Sequence, residues 1–251
     1  MTTETDELLR RAADLAARCE KSGAVTASFF LTPAERIALE RWAKFGTDCT
    51  VLFTGGREEC ERQAAFFLPY YMDETAFDVS EYIRVLEVTA GFGEPSHRDY
   101  LGAALGLGIR REWLGDIWVR GNIAHIFCLK SVAEHLLTSL EKVGRYGVKT
   151  RQVALDAVSA PERKVKAVRF TVKSLRLDAA ASGMFGLSRT ETAKLIAAGA
   201  VTLNYESCLR TDAPVKAGDI VSLRGKGKGT VVSAGGESRK GRLFVEAEIY
   251  K

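Results

Sequence analysis

Ser174-Leu-Arg-Leu-Asp178, then Leu187-Ser-Arg-Thr-Glu191, then Lys194-Leu-Ile-Ala-Ala-Gly-Ala-Val-Thr-Leu-Asn204 decide how the last third of this chain is read. Leu177, Ala180, Ala181 and Met184 recur at helical spacing, so Arg176–Met184 reads as a helix that Gly186 ends. Ser188 and Glu191 have the spacing of a capping box, which starts a second helix over 189–198. At about 100° per residue its buried stripe is Thr192, Leu195 and Ile196. Thr190, Lys194 and Ala197 then point outward with Arg189 on the flank, and small neighbours let a phosphate backbone approach the two cations. Gly199 is the expected residue after the helix, and Val201 and Leu203 alternate on a strand. The stretch reads as a nucleic-acid-facing module.

Charge supports that reading. The 251 residues carry a formal net charge of +4, but residues 1–160 hold 19 Lys and Arg against 23 Asp and Glu, while residues 161–251 hold 17 against 9. A basic end on an acidic body suggests a polyanion partner for that end; the plainer alternative is a solvated basic surface. No run approaches the roughly 18 apolar residues of a membrane span. The charged start lacks the apolar core of a secretory signal. Cys19, Cys49, Cys60, Cys128 and Cys208 are scattered, without a C-x-x-C pair. That argues for reduced thiols in a cytoplasm, and against a disulfide frame or a metal site.

The chain before this stretch divides by pattern. Residues 5–21 form an amphipathic helix; Phe29, Phe30 and Leu31 are an apolar patch. Thr32-Pro33-Ala34-Glu35 is a helix start running to about Phe45. Cys49–Phe53 reads as a strand, Gly55-Gly56 as a turn, and Arg57–Phe67 as a helix stopped before Pro69. The glycine pair could cradle a phosphate, but a tight turn fits better beside Glu58, Glu59 and Glu61. Further on, Ile83–Val88 is a strand, Ser96–Gly106 a helix with a Ser96/Asp99 capping box, and Ile117–Val119 and Ile123–Leu129 a hairpin about Gly121-Asn122. Ser131–Val143 is a helix and Val148–Leu155 a strand. That order is β-α-β-β-α-β, the split βαβ or ferredoxin-like plait. Residues 156–169 read as a linker entering a strand, with the boundary near Pro161. The expected organisation is α+β: an N-terminal α/β region over 1–75, a plait-like RNA-binding domain over 76–160, and a small basic domain over 161–251. In the last, Ala217-Gly218-Asp219 is a turn and Ile220–Leu223 a strand. Arg224-Gly-Lys226-Gly-Lys228-Gly229 is a basic loop able to track phosphates or a solvated turn, and Val231–Ala234 and Leu243–Ile249 form a hairpin about Gly235-Gly236.

Arg176-Leu-Asp178, Ser188-Arg189, Leu195-Ile196-x-x-Gly199-x-Val201-x-Leu203-Asn204 and Gly218-Asp219-Ile220 together resemble the RNA-binding domain named from ribosomal small-subunit protein S-four, over about fifty residues. The resemblance implies an S-four-type αL fold with a small β-sheet, and RNA contacts by Arg176, Ser188, Arg189, Thr190 and Lys194. Glu191 and Ala193 stand where relatives often have further cations, so this helix is lean. Upstream, Ser96-His-Arg-Asp-Tyr-Leu-Gly102, Gly106-Leu-Gly-Ile-Arg-Arg-Glu112, Leu114-Gly-Asp-Ile117, Phe30-Leu-Thr-Pro33 and Gly55-Gly56-x-x-x-x-Glu61-Arg62 are similar to the signature of the YlmH family across nearly the whole chain. That similarity implies a bacterial, cytoplasmic, non-enzymatic factor in translation or ribosome-associated quality control. The implied partners are structured rRNA and tRNA, a large ribosomal subunit carrying peptidyl-tRNA, and cell-division proteins.

Other residues weigh less. Arg224, Lys226 and Lys228 add to the basic face, and Arg98, Arg110 and Arg111 are candidates for a second RNA surface unless Asp99, Glu112 and Asp116 pair them. His97-Arg98-Asp99 reads as a helix start rather than an acid–base site, since no nucleophile or second base stands at a recognisable spacing. Asp178 reads as a local partner for an arginine. His125 and His135 are isolated, Gly102, Gly106 and Gly108 form no dinucleotide fingerprint, and no metal, cofactor or membrane partner is expected. Two alternatives remain at this level: an RNA-modifying enzyme or its accessory, and a cell-division-linked adaptor.

Overall fold

The computed structural model describes residues 3–162 and 164–250. The chain folds as two compact units, residues 1–161 and 162–251. None of the described helices is long and apolar enough to cross a membrane.

The first unit begins with α1 (Thr3–Ser22), β1 (Thr26–Ala27), α2 (Pro33–Gly46), β2 (Thr50–Thr54) and β3 (Ala64–Leu68). Thr32 caps α2 through the expected capping box, with Pro33 in its first turn. The strands form an antiparallel sheet in the order β1-β3-β2. The helix expected over 57–67 does not form: Ala64-Ala-Phe-Phe-Leu68 is the central strand, buried at every position. A five-residue apolar run carries no periodicity that separates strand from helix. Here both its faces are covered. Ala65 and Phe67 pack with Ala12, Ala16 and Leu39 of the helices, and Phe66 and Leu68 pack with Ile83, Val85 and Phe127.

Those last residues belong to a second sheet, built from β4 (Ile83–Ala90), β5 (Leu114–Arg120), β6 (Ile123–Leu129), β7 (Lys142–Val143) and β8 (Tyr146–Val153). Its order is β5-β6-β4-β8-β7, with every pairing antiparallel. Helices α3 (His97–Gly106) and α4 (Lys130–Ser139) cover one face through Tyr100, Ala104, Val132 and Leu136. α4 is shorter than the sequence suggests, because its expected last turn becomes β7 and pairs with the start of β8. The two sheets share a core, so the segments 1–75 and 76–160 pack as one unit rather than two. Arg163, inside the expected linker, lies outside the described residues.

The second unit holds β9 (Val165–Val172), α5 (Leu177–Phe185), α6 (Arg189–Ala197), β10 (Val201–Leu203), β11 (Glu206–Ser207), β12 (Ile220–Leu223), β13 (Gly227–Glu237) and β14 (Leu243–Tyr250). The strands make one sheet, β11-β10-β12-β13-β14-β9. Leu177, Ala180, Ala181 and Met184 of α5 and Ile196 of α6 pack with Val221, Val231 and Val245. Gly186 ends α5 in the left-handed conformation, with φ 68°, which a β-carbon would disfavour. Asn204 and Tyr205 turn β10 into β11, both with positive φ. Asn204 is held there by its side chain: Nδ2 donates to Asp219 Oδ1 at 2.9 Å, and Oδ1 accepts from Ile220 N at 2.8 Å. Two expectations need correction. The basic stretch is not loop throughout, since β13 begins at Gly227 and Lys228 lies in it. The hairpin turns beyond Glu237 rather than at Gly235-Gly236, which sit in β13 beside a register shift.

Candidate nucleic-acid interface

Asp178 organises the arginines of the second unit. Its side chain is 10% exposed, yet both of its ion-pair partners reach solvent. Arg189 Nη2 donates to Oδ2, and Arg176 Nε stands 3.5 Å from Oδ1. The carboxylate lies in the first turn of α5, where the helix dipole also favours negative charge. Arg189 opens α6, so one acid draws the N-terminal ends of two helices together, hydrogen-bonding Arg189 and standing within ion-pair distance of Arg176, although Arg176 Nε and Asp178 Oδ1 are buried and make no hydrogen bond among the described residues. Arg176 and Arg189 remain 41% and 54% exposed.

Around this pair the expected face divides. Thr190 and Lys194 are exposed at i,i+4 spacing on α6. Ser188 is exposed but occupied as a cap, its hydroxyl accepting from Glu191 N at 3.1 Å. Arg224 and Lys226 are exposed in the turn before β13. Lys228 is turned back: its amine stands 5.7 Å and 5.4 Å from the ring centres of Tyr205 and Tyr250. Sequence reasoning did not single out Arg210. Its Nε is 3.4 Å from Asp212 Oδ1, and the segment it opens runs beside α5, where Asp178 N donates to Thr211 O at 3.1 Å. Hydrogen bonding to Arg210 and its charge lower the Asp212 pKa. The local signal was Arg210-Thr-Asp212, which reads only as a turn until α5 is placed beside it.

In the first unit the three candidate arginines part company. Arg98 is exposed in the first turn of α3. Arg110 is exposed, 3.8 Å from Glu112 Oε1, with its guanidinium 5.5 Å from the Trp113 ring centre. Arg111 is largely committed inward: Nη1 donates to Leu114 O at 2.6 Å and Gly115 O at 3.2 Å. Arg62 does the same, with Nε on Leu114 O and Nη2 on Phe30 O. Burial lowers both arginine pKa values, and Asp116 opposes the shift in each case. Asp116 also accepts from the backbone N–H groups of Glu61 and Arg62, at 2.7 and 3.0 Å. This cluster lines a groove of about 370 Å³ with His97 and Trp118. It fastens the 55–63 loop to the start of β5, so Glu61, Arg62, Arg111 and Asp116 of the sequence signature are structural partners here. Asp99 caps α3, its carboxylate 2.8 Å from both Ser96 N and Ser96 Oγ.

A mixed α+β chain with exposed arginines paired with a buried acid has the build of a nucleic-acid-binding protein, and residues 77–157 match the family model described as "Putative RNA-binding domain in YlmH". Over 226 residues the chain is 29% identical to the Bacillus subtilis (strain 168) protein named "Ribosome-associated protein quality control protein P2", covering 88% of this chain and 86% of that one. Residues 77–157 are thus similar to the RNA-binding domain of the YlmH family. The fold of the chain is similar to the solved structure "Cell division protein ylmH from Streptococcus pneumoniae", with a TM-score of 0.54, 21% identity, and coverage of 62% of this chain and 95% of that one.

Proposed function

We propose that this protein is a non-enzymatic, cytoplasmic factor that contacts ribosomal RNA and tRNA on the large ribosomal subunit, in ribosome-associated quality control. The observation that carries this reading is the outward Arg189 held by buried Asp178, with Arg176 at ion-pair distance and Lys194 exposed, on a unit whose sequence is strongly basic. A fixed guanidinium group suits bidentate phosphate recognition, and phosphate contacts supply affinity and register without reading sequence. Two features of the fold support the reading. The four long strands of the second sheet follow the split βαβ plait order. The α5–α6 pair, with Asn204 stitched to Asp219, fits an S-four-type domain over 161–251. The name of the Bacillus subtilis relative supports the ribosomal setting.

Crosslinking in cells followed by sequencing of bound RNA tests the proposal. Enrichment of large-subunit rRNA and tRNA is expected. Recovery of neither, or modification of RNA by the purified protein, would overturn it. A protein partner captured equally well after RNase treatment would favour an adaptor instead.

A further inference from the structure

The sheet of the 77–157 domain is covered on one face and only half covered on the other. α3 and α4 close the first face. On the second, Val85 and Phe127 lie in the core shared with the three-stranded sheet, and Val158 and Ala160 pack with Trp118 and Val153. Beyond that border two cross-strand rows stay open. Register sets His125, Glu87 and Arg151 side by side in one row, and Arg120, Thr89 and Lys149 in the next, where Ile123 stands between Arg120 and Thr89. Successive side chains on a strand alternate faces, so these side chains all point to the uncovered side. Arg120, Lys149 and Arg151 are exposed there.

The chemistry of this half-face is uneven in a useful way. Residues 1–160 carry more acids than bases, yet here three cations face one carboxylate. That carboxylate is committed: Glu87 takes Arg151 at 2.8 Å and His125 at 3.5 Å, and is 17% exposed against 71% for Arg151. It holds a guanidinium outward as Asp178 does in the second unit. Arg120 and Lys149 lie three strand spacings apart, about 14 Å, a breadth over which a polyanion can meet several phosphates.

The geometry points to this open half-face, rather than the Arg98 and Arg110 surface, as the RNA-contacting surface of the 77–157 domain, with Lys149 and Arg151 as phosphate contacts. The inference rests on the RNA-binding reading above and names the surface within it. RNA fits better than a protein partner, because the open rows offer cations in place of a buried apolar anchor.

The test uses the full chain, with purified ribosomal RNA and purified tRNA as probes, titrated between about 50 and 200 mM salt. Lys149→Gln with Arg151→Gln is compared with Arg98→Gln with Arg110→Gln and with Arg189→Gln with Lys194→Gln. For the sheet pair, the slope of log affinity against log salt is expected to become shallower by about 1.4–1.8, while the Arg98/Arg110 pair leaves it unchanged. An unchanged slope for the sheet pair alongside a shallower one for Arg189/Lys194 overturns this surface and leaves the RNA reading standing. Unchanged slopes for both pairs overturn the RNA reading itself. An Arg98/Arg110 slope as shallow as the sheet pair's also overturns the choice of surface. Photocrosslinking of the wild-type chain gives an answer independent of variant folding. Nucleotide adducts on peptides containing His125 or Lys149 support the inference, and adducts confined to residues 96–113 overturn it.

Discussion

Arg189 and Lys194 look equivalent in the sequence, but the structure predicts that removing each has a different consequence. Lys194→Ala removes an exposed cation from a helix surface, so stability should stay within about 0.5 kcal/mol of wild type. Arg189→Ala also takes away the main partner of Asp178, leaving a carboxylate that is 10% exposed with Arg176 Nε at 3.5 Å. A hydrogen bond to a charged group contributes about 1.5–3 kcal/mol. Arg189 is itself 54% exposed and partly screened, so the loss should be about 1–2 kcal/mol. In a unit of residues 162–251 that lowers the melting midpoint by about 5–10 °C. RNA binding should treat the two alike. Each variant forfeits one phosphate contact, and its salt slope drops by about 0.7–0.9. Across a fourfold rise in salt each should therefore lose about threefold less affinity than wild type loses. Thermal melts followed by circular dichroism and filter-binding titrations at several salt concentrations measure both quantities. Matched melts for the two variants would refute the role of Asp178 as a clamp. A double variant that co-sediments with ribosomes as wild type does would refute the contact face.

Gly183→Ala would set a β-carbon 2.3 Å from the Phe170 ring; overpacking of this kind costs about 1–3 kcal/mol, and urea melts should show that loss, an unchanged midpoint refuting the tight contact. His125 has its pKa lowered from 6.5, by burial first, with Glu87 opposing and Arg120 and Arg151 adding to the shift. The unfolded chain therefore binds more protons, so the His125 contribution is complete above about pH 6.5 and is lost as pH falls through the folded value. His125→Gln should flatten the fall in urea midpoint between about pH 7.5 and 5.5, and an unchanged fall would assign it to other groups. Burial pushes the thiols of Cys60 and Cys128 up to about 12. In the native chain at about pH 8 neither should take up iodoacetamide, whereas the urea-unfolded chain should be alkylated at both, as read by mass spectrometry.

Helix starts were legible because capping is local chemistry. Thr32 with Glu35 and Ser96 with Asp99 form the boxes their spacing implies, and Ser188 caps α6 from the same signal. The β3 strand was not legible. Its burial on both faces comes from packing against α1 and α2 on one side and β4 and β6 on the other, and no window around Ala64 contains those partners. The fate of the basic stretch at 224–229 was hidden for a similar reason. Whether Lys228 serves a phosphate or a ring depends on Tyr205 and Tyr250, which β-pairing brings to it. Arg111 shows the same limit: two adjacent arginines look alike in sequence, but Arg111 reaches the carbonyl oxygens at the start of β5 while Arg110 stays at the surface.

The candidate RNA surfaces use one physical device twice. A shielded carboxylate, Asp178 or Glu87, fixes an arginine whose guanidinium stays in solvent. A free arginine gives up rotamer entropy of about 2 kcal/mol when a phosphate immobilises it; one already held gives up less per hydrogen bond formed. The same acid lowers local positive charge, so each surface trades electrostatic attraction for pre-organisation. That trade suits α6, whose first turn already carries Glu191 and whose outward face offers few cations. Under the proposed function, affinity then comes from the two units acting together. The stretch between Ala157 and Val165 is short, and a short tether places the second contact at an effective concentration on the order of millimolar once the first is made. Two modest, pre-ordered surfaces joined this way discriminate by geometry: an RNA that presents both sites at a compatible spacing gains the product of the two affinities, and an RNA that presents one gains only that one.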